Sequence, residues 1–364
     1  MMPMKYRNLG KTGLKVSEIG AGCWAIGGPF TNLGVDGGWS DVSDENAKAG
    51  LMQAVDMGVN LFDTADVYGL GKSERLVGWM LRESKNRNID REAFVVVSKT
   101  GLFQGCASHG YDPLQMKHQL EMSMQNLGVD YIDIYFLHHL DFGKNNEYLE
   151  CAAATIREFK RKRKIRFVGL RGPHHFSFYR NSGGDFDADY NRFIKLAALV
   201  EPDVITIRYN VLSQSYNRPD TDIFAWAKQH NIGILIYKPL AQGLLIRRYS
   251  SKCPPKFTPG DNRRRKSWFK AKGLQAIEKR LDLIAQKYSL NTTRDYVHLF
   301  IKYCLARDAN ACVLVGFENR DQVAESFCIQ GKLSVADVKF LETAFYGISD
   351  EIGDFAHLYF KDKT

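Results

Sequence analysis

A chain of 364 residues with 45% hydrophobic and 25% charged content can bury a substantial core beneath an ordinary polar surface. No run is apolar enough to span a membrane, the opening MMPMKYRNLGK lacks the apolar core of a signal peptide, and a net charge of +9 suits an anionic ligand without identifying one. Seven scattered cysteines with no C-x-x-C exclude a disulfide framework and a zinc site, so no metal is expected and a reducing, cytoplasmic location is.

In chain order, short apolar runs rich in β-branched residues fall near 18–22, 60–63, 94–99, 132–138, 165–171, 204–209, 233–239 and 311–315. Strands buried on both faces read in this way. Amphipathic stretches of helical length separate them at 46–57, 73–81, 114–126, 147–163, 192–200, 222–230 and 274–288. Asp112, with Pro113 and Gln115 behind it, caps the helix at 114–126, and Asn319 followed by Gln322 starts another. Marker residues Asp63, Lys99, His138, Arg171, Arg208 and Lys238 recur at intervals of roughly one βα unit. The pattern predicts an α/β fold, a closed parallel (β/α)8 TIM barrel. A doubly wound sheet is the alternative, but no GxGxxG follows the first strand. One domain over residues 1–364 is expected, with long loops at 25–42 and 244–273 on the active face and a C-terminal extension over 334–364. The basic run FKRKRKIR, 159–166, reads as the end of an exterior helix, and with no aromatic platform beside it no nucleic-acid partner is expected.

Four polar residues stand at or just beyond three consecutive predicted strand ends: Asp63, Tyr68, Lys99 and His138. A lysine directly after the run FVVVS is costly to bury unless paired, and Asp63 on the neighbouring strand is an available partner. An ammonium beside a phenol favours phenolate and makes Tyr68 usable in proton transfer. His138 on the next strand could then orient a carbonyl oxygen. Taken singly, these residues read as a surface tyrosine, a salt bridge and a core histidine. Together on the face where barrel active sites lie, they point to catalysis.

These residues sit in segments that resemble the aldo-keto reductase family: LGKTGLKVSEIGAGCW near the start, FDTADVYG, SKT, LHH, YKPLAQGLL and VLVGFENRDQVAESF. The resemblance runs from about residue 6 to about residue 329. It implies a barrel that binds extended NADP(H), with NAD(H) as the alternative, and a small carbonyl or alcohol substrate, sugar-like or anionic. It also implies that Tyr68 is the general acid/base, that Lys99 and Asp63 tune it, and that His138 positions the substrate oxygen. His139 falls on the opposite side of its strand and is left out. A non-catalytic barrel that senses the cofactor or binds a partner, similar to potassium-channel beta subunits, is the second reading. The oligomeric state is not legible.

By the same resemblance Tyr237 stacks on the nicotinamide, while Leu240, Gly243 and Leu244 lie along the pyrophosphate. Lys238, in place of the usual Ser, could pair with it. Gln322, Glu325 and Ser326 fall at the adenine end, and Cys23, Trp24 and Trp39 near the ring and the substrate. Departures are equally visible. The Ser-Asn that grips the carboxamide is Arg171-Gly172 here, and the Gln of the sixth strand is Thr206. Where relatives carry Lys or Arg for a 2′-phosphate, this chain has Gly316, Phe317 and Glu318, with Arg320 nearby. Arg171 and Arg208 on neighbouring strands predict an anionic or oxygen-rich group near the nicotinamide; pairing with carboxylates, or a bond from Arg171 to the carboxamide, is the plainer account.

Overall fold

Eight parallel strands close on themselves in the computed structural model, which describes residues 4–173, 186–213 and 221–352. They are β1 (Ile19–Gly22), β2 (Leu61–Asp63), β3 (Val95–Thr100), β4 (Ile132–Leu137), β5 (Ile165–Arg171), β6 (Val204–Arg208), β7 (Gly233–Tyr237) and β8 (Ala311–Gly316). Each pairs with its neighbours in sequence, and β8 pairs with β1, Leu314 opposite Gly20. That last pairing makes the sheet a TIM barrel and sets aside the open doubly wound alternative.

Alternation along the strands sorts the side chains. Leu61, Val95, Val97, Ile134, Phe136, Val204, Leu235 and Leu314 fill the barrel, while their neighbours pack outward against helices. Gly169 on β5 is required by this filling, since a Cβ there would stand 2.3 Å from the Phe136 ring. An antiparallel hairpin, Tyr6–Asn8 with Lys15–Ser17, places Leu9, Leu14 and Val16 in the same interior cluster and plugs the N-terminal end. The sequence pattern did not announce this hairpin, because its strands are only three residues long.

The helices match the expected ones with shifted ends: α1 (Asp44–Asp56), α2 (Lys72–Asn86), α3 (Pro113–Leu127), α4 (Leu149–Arg161), α5 (Phe186–Val200), α6 (Ile223–Gln229) and α7 (Ala271–Tyr288). Asp112 caps α3 as expected, accepting from the N–H groups of Leu114 and Gln115. A further helix, α8 (Thr293–Arg307), was not anticipated; it is apolar on more than one side, which blurs the helical period. It packs on β8 as the seventh crossover helix, while α7 lies outside against α10 (Val335–Phe345) and α11 (Ile348–Ile352). Between α8 and α10, α9 (Arg320–Ser326) starts at the expected cap Asn319 and packs on α1. Residues 353–364 of the expected C-terminal extension lie outside the described residues.

The basic run behaves as an exterior helix end. Lys160 bonds Asp203 at 2.6 Å, Lys162 bonds Glu158 at 2.6 Å and Arg166 bonds Asp133 at 2.7 Å. Among the described residues no helix is long and apolar enough to cross a membrane.

Candidate active site

Inward-facing parity carries past the apolar filling to the C-terminal ends of the strands. There the same alternation that buries Leu61, Val97 and Phe136 aims Asp63, Lys99 and His138 into one space. Lys99 Nζ donates to Asp63 Oδ1 at 2.7 Å and to the Thr64 carbonyl at 2.6 Å, with both side chains almost wholly buried. Burial lifts the Asp63 carboxyl and depresses the Lys99 ammonium, and the contact between the two works against both shifts.

Tyr68 comes from the turn after β2. Gly69 makes that turn possible: its φ is 59°, and a Cβ there would stand 2.1 Å from the Gly27 carbonyl oxygen. The turn sets the Tyr68 ring with its centre 4.9 Å from Lys99 Nζ and 5.7 Å from the His138 ring, edge to face at 72°. Burial, reinforced by Lys99 and Arg171, pushes His138 well below the ordinary imidazole range, so it is neutral at neutral pH. Its Nδ1 has no hydrogen-bond partner. His139 borders the cavity too, but Nε2 bonds the Gly101 carbonyl and Nδ1 accepts from the Asp141 N–H. The four residues expected to act together are therefore brought together.

A cavity of roughly 330 Å³ runs from this cluster to the start of α9. Trp24, Trp39, Arg171, Thr206, Tyr237, Lys238, Leu240 and Gly243 line it, and Gly316, Glu318, Gln322, Glu325 and Ser326 close its far end. Arg171 lies over the Tyr237 ring, 4.4 Å from its centre, and its Nη2 donates to the Tyr237 phenol at 2.6 Å. Glu318 accepts from Arg248 through both oxygens, at 2.7 and 3.0 Å, and from Trp39 Nε1 at 2.8 Å. Its burial opposes ionisation, but these bonds outweigh burial and hold its carboxyl below the usual range. Trp39 is pinned in turn by Arg263, whose guanidinium lies 3.6 Å from the ring centre and bonds Asp261 and Ser40. The two long loops thus meet over the cavity.

Four expected site residues do not border it. Cys23 has the outward parity of Ala21, and its thiol bonds the Ala21 carbonyl at 3.5 Å. The Leu244 side chain is buried in the outer core. Arg320 is exposed and donates to Gln53 on α1 at 2.7 Å. Arg208 is not among the lining residues, although its charge reaches Lys238 and Lys266. Conversely, Gln242 and Arg248 line the cavity and were not singled out. Gln242 sits inside the AQGLL motif, and Arg248 just beyond it; position next to a chosen motif was the signal available.

A nicotinamide dinucleotide fits this lining. The cavity offers an aromatic ring at one end, cations at its middle and hydrogen-bonding side chains at the other end. The amide nitrogen of Gln242 is buried there without a partner, a donor that a ligand oxygen would satisfy. Among the described residues no cluster of three or more His, Cys, Asp or Glu is arranged to hold a metal ion.

The chain is similar to known proteins in sequence and in fold. The chain is 25% identical over 329 residues to the L-galactose dehydrogenase of Arabidopsis thaliana, covering 90% of this chain and 88% of that one. It is 28% identical over 296 residues to the NADH-specific methylglyoxal reductase of Escherichia coli K12, covering 78% and 79%. Its fold matches that of a glycerol dehydrogenase from Gluconobacter oxydans with a TM-score of 0.70 at 22% identity, covering 100% of this chain and 99% of the other. The sequence model described as "Aldo/keto reductase family" matches residues 18–341, a span that holds every strand of the barrel and the whole Asp63–Tyr68–Lys99–His138 cluster. On that match, and with a barrel and a site that agree with it, the chain belongs to the aldo/keto reductase family.

Proposed function

We propose that this protein is a nicotinamide-dependent oxidoreductase that interconverts a small carbonyl compound and its alcohol, with Tyr68 as general acid/base. One observation carries the reading: the Lys99–Asp63 pair lies directly beside the Tyr68 ring, with neutral His138 on its other flank, in one cavity. The chemistry a bound nicotinamide supplies is hydride donation or acceptance at the reacting carbon. In reduction, the Tyr68 hydroxyl passes its proton to the carbonyl oxygen as that oxygen gains charge. The phenolate left behind is stabilised by Lys99, whose own charge is held by Asp63. His138, neutral, donates one N–H to the same oxygen and fixes the carbonyl's orientation. In oxidation the roles reverse, and Tyr68 phenolate takes the proton of the alcohol.

The preferred cofactor is NADP(H), with Arg248 as the cation that meets a 2′-phosphate; Glu318 must then release it. With NAD(H), Glu318 keeps Arg248 and accepts from a ribose hydroxyl instead. The substrate class is small and oxygen-rich.

The test is Tyr68→Phe in a screen of aldehydes, sugars and polyols followed at the nicotinamide absorbance. The variant is expected to bind cofactor as the unmutated protein does and to lose turnover by at least about a hundredfold. Equal turnover by both proteins would rule out Tyr68 as the acid. If the unmutated protein binds cofactor but turns over none of the compounds, the cofactor-sensing reading takes its place.

A further inference from the structure

The long loop after β1 folds back into a small hairpin of its own. Thr31–Asn32 pairs with Val35–Asp36, and Leu33 and Gly34 turn between them with φ of 49° and 75°. Two left-handed residues in a row make the tight turn that suits the twist of a hairpin, although leucine is an uncommon choice for it. The loop after β7 holds the hairpin at its base. The N–H groups of Phe30 and Gly38 both bond the Gly260 carbonyl, at 3.3 and 2.8 Å, and Asp36 accepts from the Gly260 N–H at 3.0 Å. Phe30 is buried with Ala65 and Val67, against Trp24, Tyr68 and Leu102. One side of the hairpin is thereby set into the cavity wall, next to the turn that carries Tyr68.

Asn32 is the polar side chain that the hairpin brings to the cavity; Phe30 and Val35 beside it are apolar. It is half-buried, and its Nδ2 donates to the Leu102 carbonyl at 2.8 Å, just beyond the end of β3. A carbonyl can only accept, so this bond settles which branch of the amide is nitrogen. Oδ1 on the other branch is an acceptor, and it makes no hydrogen bond among the described residues. The hairpin adds no cation to the lining. Arg171, Lys238 and Arg248 border the cavity from the ends of β5 and β7 and from the loop behind β7.

Given the reading that Tyr68 hands its proton to a carbonyl oxygen in this cavity, we propose that Asn32 selects the compound that carries it. Its Oδ1 accepts from a hydroxyl of the substrate, which is a neutral hydroxyaldehyde or hydroxyketone. A hydroxyl brings the proton that a pure acceptor needs. A carboxylate brings none and finds no counter-charge on the hairpin. A plain alkyl carbonyl takes water away from Oδ1 and gives nothing back, and an acceptor left unpaired in this way counts against the compound that leaves it so. Phe30, Val35 and Leu102 meanwhile suit the C–H groups of a short carbon chain.

The probes are glyceraldehyde, propanal of the same chain length without hydroxyls, and succinic semialdehyde, which ends in a carboxylate. With the full chain and saturating NADPH or NADH, kcat/KM for glyceraldehyde is expected to exceed that for either of the others by about ten- to a hundredfold. Asn32→Leu and Asn32→Ala, each checked by thermal melting, should bring the ratio of glyceraldehyde to propanal within about threefold of unity, chiefly through a higher KM for glyceraldehyde. Either variant suffices if the other does not fold. A residue that merely held the hairpin in place would lower both substrates alike and leave the ratio where it was. That result overturns the assignment, as does a preference of the unmutated protein for propanal or succinic semialdehyde. Absence of glyceraldehyde turnover overturns it too, whatever else reacts. Absence of turnover with every carbonyl compound screened overturns the oxidoreductase reading as well.

Discussion

The Arg171 guanidinium covers the Tyr237 ring at 4.4 Å and bonds its phenol oxygen at 2.6 Å. Arg171 stands where the family resemblance implies a carboxamide grip, on the ring expected to carry the nicotinamide, so one residue couples the two. As a donor to the carboxamide oxygen it would make a charge-assisted bond that ADP-ribose, which lacks the nicotinamide, does not need. Arg171→Met is expected to weaken NADH and NADPH about ten- to a hundredfold and to leave ADP-ribose binding nearly unchanged. Fluorescence titration of the three ligands checks this; equal losses would assign Arg171 a general structural role.

Lys99 and Asp63 are a buried pair whose members depend on each other. Lys99→Met strands a carboxylate in the barrel and should cost about 3 kcal/mol of stability. Adding Asp63→Asn removes the stranded charge, so the double variant should regain most of that stability. It should not regain turnover, because the phenolate of Tyr68 would still lack its cation. Urea unfolding and single-turnover assays on the same preparations separate the two effects.

The bonded pair Arg248 and Glu318 gives a prediction about a 2′-phosphate. Glu318→Gln frees the guanidinium from a charged partner and should shift the NADPH-to-NADH affinity ratio upward by about tenfold. Arg248→Met should shift it downward. Movement of both variants in one direction would contradict the assigned roles.

Much of this site was legible before any coordinates. The period of two along β2, β3 and β4 fixes which residues face inward, so Asp63, Lys99 and His138 could be placed from their distance to the apolar runs alone. The same rule would have placed Cys23 outside, since Ala21 and Cys23 share the outward face of β1. Lys266 was not legible as the partner of Gln242. It meets Gln242 across a loop whose path is set by Pro254, Pro255, Pro259 and by the Arg263–Asp261 tie, none of which has a period to read. Helix α8 was missed for the opposite reason, since apolar residues on several of its sides hide the stripe that marks a surface helix.

Asp66, in the same FDTADVYG segment as Tyr68, gives a prediction about pH. Its carboxyl is buried, Oδ2 is unpartnered, and burial with Glu74 nearby raises its pKa well above the usual carboxylate range. A carboxyl raised in the folded state contributes stability that is fully present below its unfolded pKa and is lost as pH rises through the folded value. Asp66→Asn keeps an oxygen to accept the Val67 N–H, now 2.7 Å from Asp66 Oδ1, and removes the charge. The variant should be more stable than the parent at pH 8 and should lose less stability between pH 5 and 8. Thermal melts across that range decide the point.

The hairpin that plugs the N-terminal end of the barrel has a kinetic consequence. With Leu9 and Leu14 seated in the interior, ligands come and go at the opposite end, where the catalytic cluster lies. A dinucleotide bound along the cavity from Tyr237 to Glu325 would occupy the floor of that entrance, and a carbonyl compound bound first would stand in its way. Sequential traffic is therefore expected, with cofactor first in and last out. Product-inhibition patterns are expected to show competition between the oxidised and reduced cofactor alone, and the departure of cofactor to limit the steady-state rate.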